Sequence, residues 1–120
     1  KEMSSMDKEE IVLCGSSKYE QKYYLSEEFA GLPQQIKDEL KIMCVLFTED
    51  VGGILTLFYD TDGNLEFRVE ADEGDLLFDE IGSVLKIKQY QQDKRELLEA
   101  LELYYKVFFL GENIDITDED

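Results

Sequence analysis

The chain contains no histidine, only two cysteines, and just 12 basic side chains against 29 acidic ones. Each shortage excludes something. Without histidine, the commonest general base near neutral pH and the commonest metal ligand are gone, so neither a Ser-His-Asp nor a Cys-His pair can be assembled. Two cysteines thirty residues apart, with no imidazole to join them, do not make a tetrahedral zinc site. Cys14 and Cys44 each lie in an apolar run, which suits buried thiols packing as small hydrophobes and not the staples of a secreted domain. No apolar run approaches the ~18 residues that a membrane-spanning helix needs. The first ten residues hold no signal-peptide core, so the chain reads as cytoplasmic, with Met6 a natural start and residues 1–5 an upstream extension.

What is present is acid. The net charge is −17 on 120 residues. Residues 1–60 hold 6 bases and 12 acids, residues 61–120 hold 6 and 17, and nine carboxylates fall between Asp60 and Glu80 against the single Arg68. Such a surface repels nucleic acid and anionic membrane and attracts basic proteins or cations. Yet 43% of the residues are hydrophobic and 12% aromatic, more than a disordered acidic chain would carry. The charge therefore rides on a folded core. We read residues 1–9 as a disordered segment, 10–111 as one globular domain, and 112–120 as an acidic frayed tail.

Periodicity lays out the elements. Ile11-Val12-Leu13-Cys14 is a β-rich run stopped by Gly15-Ser16-Ser17, with Lys22–Leu25 as a candidate hairpin partner; a helical reading of 18–30 stays open. Ser26, Glu27 and Glu28 look like the cap and acidic first turn of a short helical piece ending at Gly31. Pro33 can open a helix over 33–51, because its missing N–H is not needed in a first turn. Ile36, Leu40, Met43, Cys44, Phe47 and Val51 form its buried stripe, and Gly52-Gly53 stops it. Residues 54–71 read as a hairpin about Asp60-Thr61-Asp62-Gly63. A type I turn with a glycine bulge pairs Asp60 with Asn64, and this register puts Leu55, Leu57 and Tyr59 on one face with Leu65, Phe67 and Val69. A helix over 76–90 follows, capped by Asp75, with Leu77, Ile81, Val84 and Leu85 as its inward stripe. Asp93 and Glu96 make a capping box ahead of a last helix, 94–110, whose Leu97, Leu101, Tyr104 and Phe108 share a face. The expected fold is α+β: an antiparallel sheet built around the 54–71 hairpin, packed on one face by the helices 33–51, 76–90 and 94–110.

Few residues combine into a chemical site. Asp60-x-Asp62-x-Asn64 imitates the start of a calcium loop, but Leu65 and Ala71 stand where that loop needs glycine and glutamate. Asp72, Asp75 and Asp79 could converge on Mg²⁺ or Ca²⁺ through oxygen; equally, acids favour a helix's first turn and then face water. Glu73 and Glu80, with Glu49-Asp50, are candidates for meeting a basic partner. Glu49 and Asp50 oppose the dipole at a helix C-terminus, at about 0.3–1 kcal/mol each when exposed, and residues set against a local rule can be functional. Cys14 beside Gly-Ser-Ser has no nearby base to activate it, and Gly-Ser-Ser-Lys lacks the second glycine of a phosphate loop. Tyr19, Tyr23 and Tyr24 lie among Lys18 and Lys22, but the surrounding charge argues for packing and against stacking on nucleic-acid bases. The last helix is apolar all round near Phe108, Phe109 and Leu110, which suits a central position or a homodimer contact.

The segments 12–15 (Val-Leu-Cys-Gly), 22–25 (Lys-Tyr-Tyr-Leu), 32–33 (Leu-Pro), 44–53 (Cys-Val-Leu-Phe-Thr-Glu-Asp-Val-Gly-Gly) and 78–81 (Phe-Asp-Glu-Ile) together resemble an uncharacterised family of small acidic proteins from gut Firmicutes. The resemblance spans nearly all of 10–110 and implies a bacterial cytosolic protein; it carries no activity with it. Small size, acidity and the helix-hairpin-helix layout are also similar, in class alone, to immunity proteins of bacterial toxin systems. The expectation is a protein-interaction or regulatory module for a basic protein partner, with a carboxylate-based cation binder or metal-dependent enzyme as the rival. Thermal melts separate the two. Raising NaCl from about 0.01 to about 0.15 M should raise Tm by screening self-repulsion. At matched ionic strength Mg²⁺, Ca²⁺ and Mn²⁺ should match NaCl; an excess for one of them would mark a specific cation site.

Overall fold

A computed structural model describes residues 10–111; the expected disorder of 1–9 and fraying of 112–120 lie outside the described residues. Four antiparallel strands, β1 (Ile11–Ser17), β2 (Lys22–Leu25), β3 (Ile54–Tyr59) and β4 (Leu65–Glu70), form one sheet in the order β2-β1-β3-β4. A short 3-10 turn, Glu27–Phe29, leads to α1 (Gln34–Val51); α2 (Glu80–Asp93) and α3 (Arg95–Phe108) follow the hairpin. The fold is α+β, with the three helices packed against the sheet.

The β3–β4 register is the one that collects apolar side chains: Leu55 opposes Val69, Leu57 opposes Phe67 and Tyr59 opposes Leu65. Asp60 N–H donates to the Asn64 carbonyl at 2.9 Å, and Gly63 supplies the positive φ (87°) that a side chain would resist. Lys22–Leu25 is the hairpin partner of β1, as the strand reading had it, joined by the loop 18–21. However, β1 does not stop at Gly15-Ser16-Ser17; it runs through them, each paired with both β2 and β3. Gly15 is needed within the strand because the Tyr24 ring crosses it, and a Cβ there would sit 2.8 Å from that ring. Val12 opposes Phe58 and Cys14 opposes Leu57, so Leu13 is an extra, bulged residue. The bulge lets Leu13 and Cys14, neighbours in sequence, both be fully buried.

α1 lies over the centre of the sheet and buries the stripe expected of it, from Leu40 to Val51. Pro33 sits one residue before the helix, and Gly52 ends it at φ 86°. At the β4 side α3 buries Leu97, Leu101 and Tyr105. Phe29, Tyr59, Tyr105 and Phe109 stack in a closed ring, with successive centroids 5.6, 4.1, 5.1 and 4.8 Å apart. The Tyr59 hydroxyl is satisfied inside this cluster by donating to the Leu101 carbonyl at 2.9 Å.

Several local expectations need correction. α2 begins at Glu80 and not 76, and its cap is Asp79, which accepts from Gly82 N–H. The Asp93/Glu96 capping box is absent: Asp93 still belongs to α2, and Lys94, with no side-chain cap bond, is the single residue between the helices. On α3 Tyr105 turns inward while Phe108 is 69% exposed. The largest change concerns α2's stripe. Leu77, Ile81 and Leu85 are 91%, 75% and 61% exposed, and Val84 and Leu76 are exposed too. α2 docks instead through Ser83, Ile87 and Tyr90, a second set at helical spacing; the Tyr90 ring lies 6.2 Å from Phe47 and its hydroxyl reaches the Met43 carbonyl. The two kinds of leucine should separate in urea denaturation. Leu101→Ala should cost about 2–5 kcal/mol by opening a cavity, and Leu85→Ala less than about 0.5 kcal/mol.

Candidate functional site

Three segments distant in sequence meet at one end of the sheet: the β1–β2 loop, the C-terminal turn of α1, and the turn 72–79 that leads into α2. Between them lies a cleft of about 320 Å³ lined by Lys18, Tyr19, Glu49, Asp50, Asp75 and Leu77, with Val51 and Gly52 on its wall. The meeting follows from backbone chemistry. Gly52 and Gly53, both at positive φ, turn the chain sharply from α1 into β3. A Cβ on Gly53 would meet the Glu70 carbonyl at 2.6 Å and the Phe78 ring at 3.0 Å, so the double glycine is also what lets Phe78 pack down here. Asp79 N–H then donates to the Val51 carbonyl at 2.9 Å, fixing the start of α2 to the end of α1.

Tyr19 organises the acidic turn. Its hydroxyl accepts from Asp72 N–H at 2.8 Å and donates to the Asp75 carboxylate. Asp75 also accepts from Leu77 N–H at 2.9 Å. The Tyr19 hydroxyl first, and then that amide, hold the Asp75 carboxyl below its usual range, and the same bond raises the Tyr19 phenol. Sequence reasoning placed Tyr19 in a basic patch and missed this role, because nothing local in the sequence points to partners more than fifty residues away.

Each sequence-proposed residue has a distinct place. Asp75 is held by Tyr19 and Leu77, and Asp79 caps Gly82, while Asp72 offers its backbone to Tyr19. Among the described residues no three acidic or cysteine side chains are grouped closely enough to hold a metal ion. Glu73 and Glu80 are exposed and neither lines the cleft. Glu49 and Asp50, set against the α1 dipole, each face a cation from another element: Glu49 meets Lys18 at 3.4 Å, and Asp50 meets Lys86 of α2. Their position is thus explained by tertiary pairing, though exposed pairs of this kind add little stability. The structure brings Glu49, Asp50 and Asp75 to one cleft, with Leu77 on its lip and the bare stripe of α2 running away from it.

At the far end of α3, Phe109 stacks in the aromatic ring cluster and Leu110 lies over the hairpin turn at Gly63, yet both stay partly exposed, and Phe108 is the most exposed of the three residues named for a homodimer contact. No described helix is long and apolar enough to cross a membrane.

The role of Tyr19 is open to direct measurement. A carboxyl held below its usual value contributes stability that is present above the unfolded-state value and lost as pH falls through the folded one. In Tyr19→Phe, carboxyl-detected NMR should find Asp75 titrating at higher pH than in the wild type, with the chain less resistant to acid in that window. An unchanged Asp75 titration would remove Tyr19 from the account.

No curated protein and no solved structure matches the chain. A family model does: that of DUF6145, a family of unknown function, matches residues 10–113, and the chain belongs to this family.

Proposed function

We propose that this protein is a non-enzymatic interaction module that holds a basic, amphipathic segment of a partner protein against the cleft and the exposed stripe of α2. One observation carries the reading. Leu76, Leu77, Ile81, Val84 and Leu85 are all more than half exposed within ten residues, where α1 leaves only Ile42 and Leu46 so bare and α3 only Leu103 and Phe108. Contiguous apolar surface of this kind on a soluble fold marks a docking site. Within α2, Ile81, Val84 and Leu85 repeat at steps of three and one, the face one helix offers to another, and Leu76 and Leu77 lie in the turn just before it.

Charge supplies the partner's chemistry. Asp72, Glu73, Asp75, Asp79 and Glu80 border the stripe's N-terminal end, and no base intervenes before Lys86. A second copy of this chain would bring the same acids with it. A partner segment with leucine-like anchors and flanking Lys or Arg matches both features. Long-range attraction from the −17 chain would speed the encounter and make it salt-sensitive. Such a role fits a cytoplasmic bacterial regulator, immunity-like in class.

The test compares wild type with Leu85→Asp and with the pair Leu77→Asp/Ile81→Asp. All three positions are exposed, so folding should survive, as circular dichroism would show. A leucine/lysine amphipathic peptide titrated into labelled protein should shift amides of 72–88 and of Glu49 and Asp50. The variants should weaken binding by at least about tenfold, and salt should weaken it further. Crosslinking in native cytosol should join a basic protein to the same residues in the wild type alone. Shifts scattered over the acidic surface and unaltered in the variants would overturn the reading. So would a wild type that is dimeric by light scattering and monomeric as Leu85→Asp, since the stripe would then belong to a second copy.

A further inference from the structure

The two cysteines of this chain, thirty residues apart, are brought together. Cys14 on β1 and Cys44 on α1 are both fully buried, and their sulfurs are 3.8 Å apart across the strand–helix seam. That is van der Waals contact between free thiols on two different elements. A side-chain rotation closing the gap by under 2 Å would reach disulfide bonding distance. Nothing in the proposed partner site uses them.

Their surroundings are polar where a plain core would be apolar. Ser16, which follows Cys14 on the inward face of β1, and Thr48, one turn beyond Cys44 on α1, face each other with oxygens 2.8 Å apart. The Tyr23 hydroxyl, on the strand opposite Ser16, is buried without a hydrogen-bond partner near the same sulfurs. Ser16, Tyr23 and Thr48 also line a second cleft of about 300 Å³ that opens between β2 and α1. One layer of small or movable side chains thus separates the thiol pair from a water-accessible cleft wide enough for hydrogen peroxide. A peptide disulfide such as glutathione disulfide has no room to form its mixed intermediate in the seam.

We infer that Cys14 and Cys44 are a site of oxidative modification, closing to a reversible intramolecular disulfide that ties β1 to α1 when the protein meets a peroxide. The Cys14 hydrogen bond, and then burial, raise the Cys44 thiol well above its ordinary range, so Cys44 rests protonated. The step begins when one thiol loses its proton. That thiolate attacks a peroxide oxygen, the O–O bond breaks, and the leaving oxygen departs as water, giving a sulfenic acid. The neighbouring thiol then attacks the sulfenic sulfur, the S–S bond forms and a second water leaves. Two electrons have passed from the sulfurs to the peroxide, and both thiol protons end in water. With its partner sulfur already in contact, the sulfenic acid is trapped before it can oxidise further.

The experiment treats the reduced, folded full chain with hydrogen peroxide and follows mass, thiol titre and Tm. The expected product is a monomer lighter by two hydrogens, with both thiols lost together and a tryptic peptide pair joining Cys14 to Cys44. Its Tm should be higher by roughly 5–15 °C through the constraint on the unfolded chain, and dithiothreitol should reverse all of these changes. Cys44→Ala, a small buried replacement, should give neither the mass loss nor the Tm rise; should that variant fail to fold, the peptide map of the wild type decides alone. Three results would overturn the inference: sulfinic or sulfonic products without a crosslink, a disulfide joining two chains, or oxidation that proceeds only in denaturant.

Discussion

The seam between α1 and the β1–β3 ladder is the constraint on which the rest of the molecule depends. A four-stranded sheet with one covered face has room for few large side chains, and here the strands supply Leu13, Cys14, Leu55, Leu57 and Tyr59, all fully buried. α1 meets them with Leu40, Met43, Cys44 and Phe47. Each such leucine, methionine or phenylalanine contributes about 1.5–3 kcal/mol when fully removed from water. The bulge at Leu13 widens the seam by giving β1 two consecutive inward residues where regular pleating would give one. Ser26 closes the matching backbone problem, with its N–H donating to the Leu13 carbonyl at 2.9 Å and its hydroxyl to the Val12 carbonyl at 2.7 Å. The small side chains at the seam follow from this closeness: Cys14, Cys44, Ser16 and Thr48 lie where a strand and a helix approach each other.

Once α1 occupies the centre of the sheet, α2 leans on α1 and on the start of α3, and this decides what is left outside. α2 carries two apolar sets on different faces, Ile87 with Tyr90 and Ile81 with Val84 and Leu85, the second continued by Leu77 in the turn before the helix. Local periodicity favours the second, which is larger and more regular. The chain uses the first, because Phe78 packs against Gly53, Asp79 N–H bonds to the Val51 carbonyl and Lys86 pairs with Asp50. Those three contacts fix the rotation of the helix before its leucines are counted. A stripe left in water by such an arrangement has a hydrophobic cost that the fold does not recover, and a partner surface would recover it.

How much was legible in the sequence follows from the same division between local and distant causes. The hairpin register could be read because turn chemistry at Asp60–Gly63 and two-residue alternation agree within eighteen residues. α1 could be read because its stripe is long and bounded by Pro33 and Gly52. The course of β1 through Gly15-Ser16-Ser17 could not, since its reasons are the Tyr24 ring above Gly15 and the Thr48 hydroxyl beside Ser16, both supplied by other elements. The capping box at Asp93 failed because α2 runs on to within one residue of α3, where the backbone ladder and not a side chain satisfies the amide: Lys94 N–H bonds to the Tyr90 carbonyl at 2.8 Å. Of the candidate site, Glu49, Asp50 and Asp75 were singled out for breaking or obeying helix-end rules, but their convergence on one cleft depends on Gly52-Gly53 and on Tyr19.

The sequence concentrates its acids between Asp60 and Glu80, and the fold gives that charge a direction. Asp60 is spent on its turn, its carboxylate receiving the Asp62 and Asn64 amides at 2.9 Å each. Asp79 is spent on its cap, and Glu102 on the Leu65 amide at 2.7 Å. Glu10, Glu49 and Asp50 each face a cation. The turn 72–80 still keeps Asp72, Glu73 and Glu80 exposed close to Leu76, Leu77 and Ile81, acids beside bare apolar surface. Acids beside water need no explanation, and leucines in a core need none either. Acids beside leucines that the core has declined are the combination that a basic amphipathic segment would complete, because it neutralises one and buries the other in the same act.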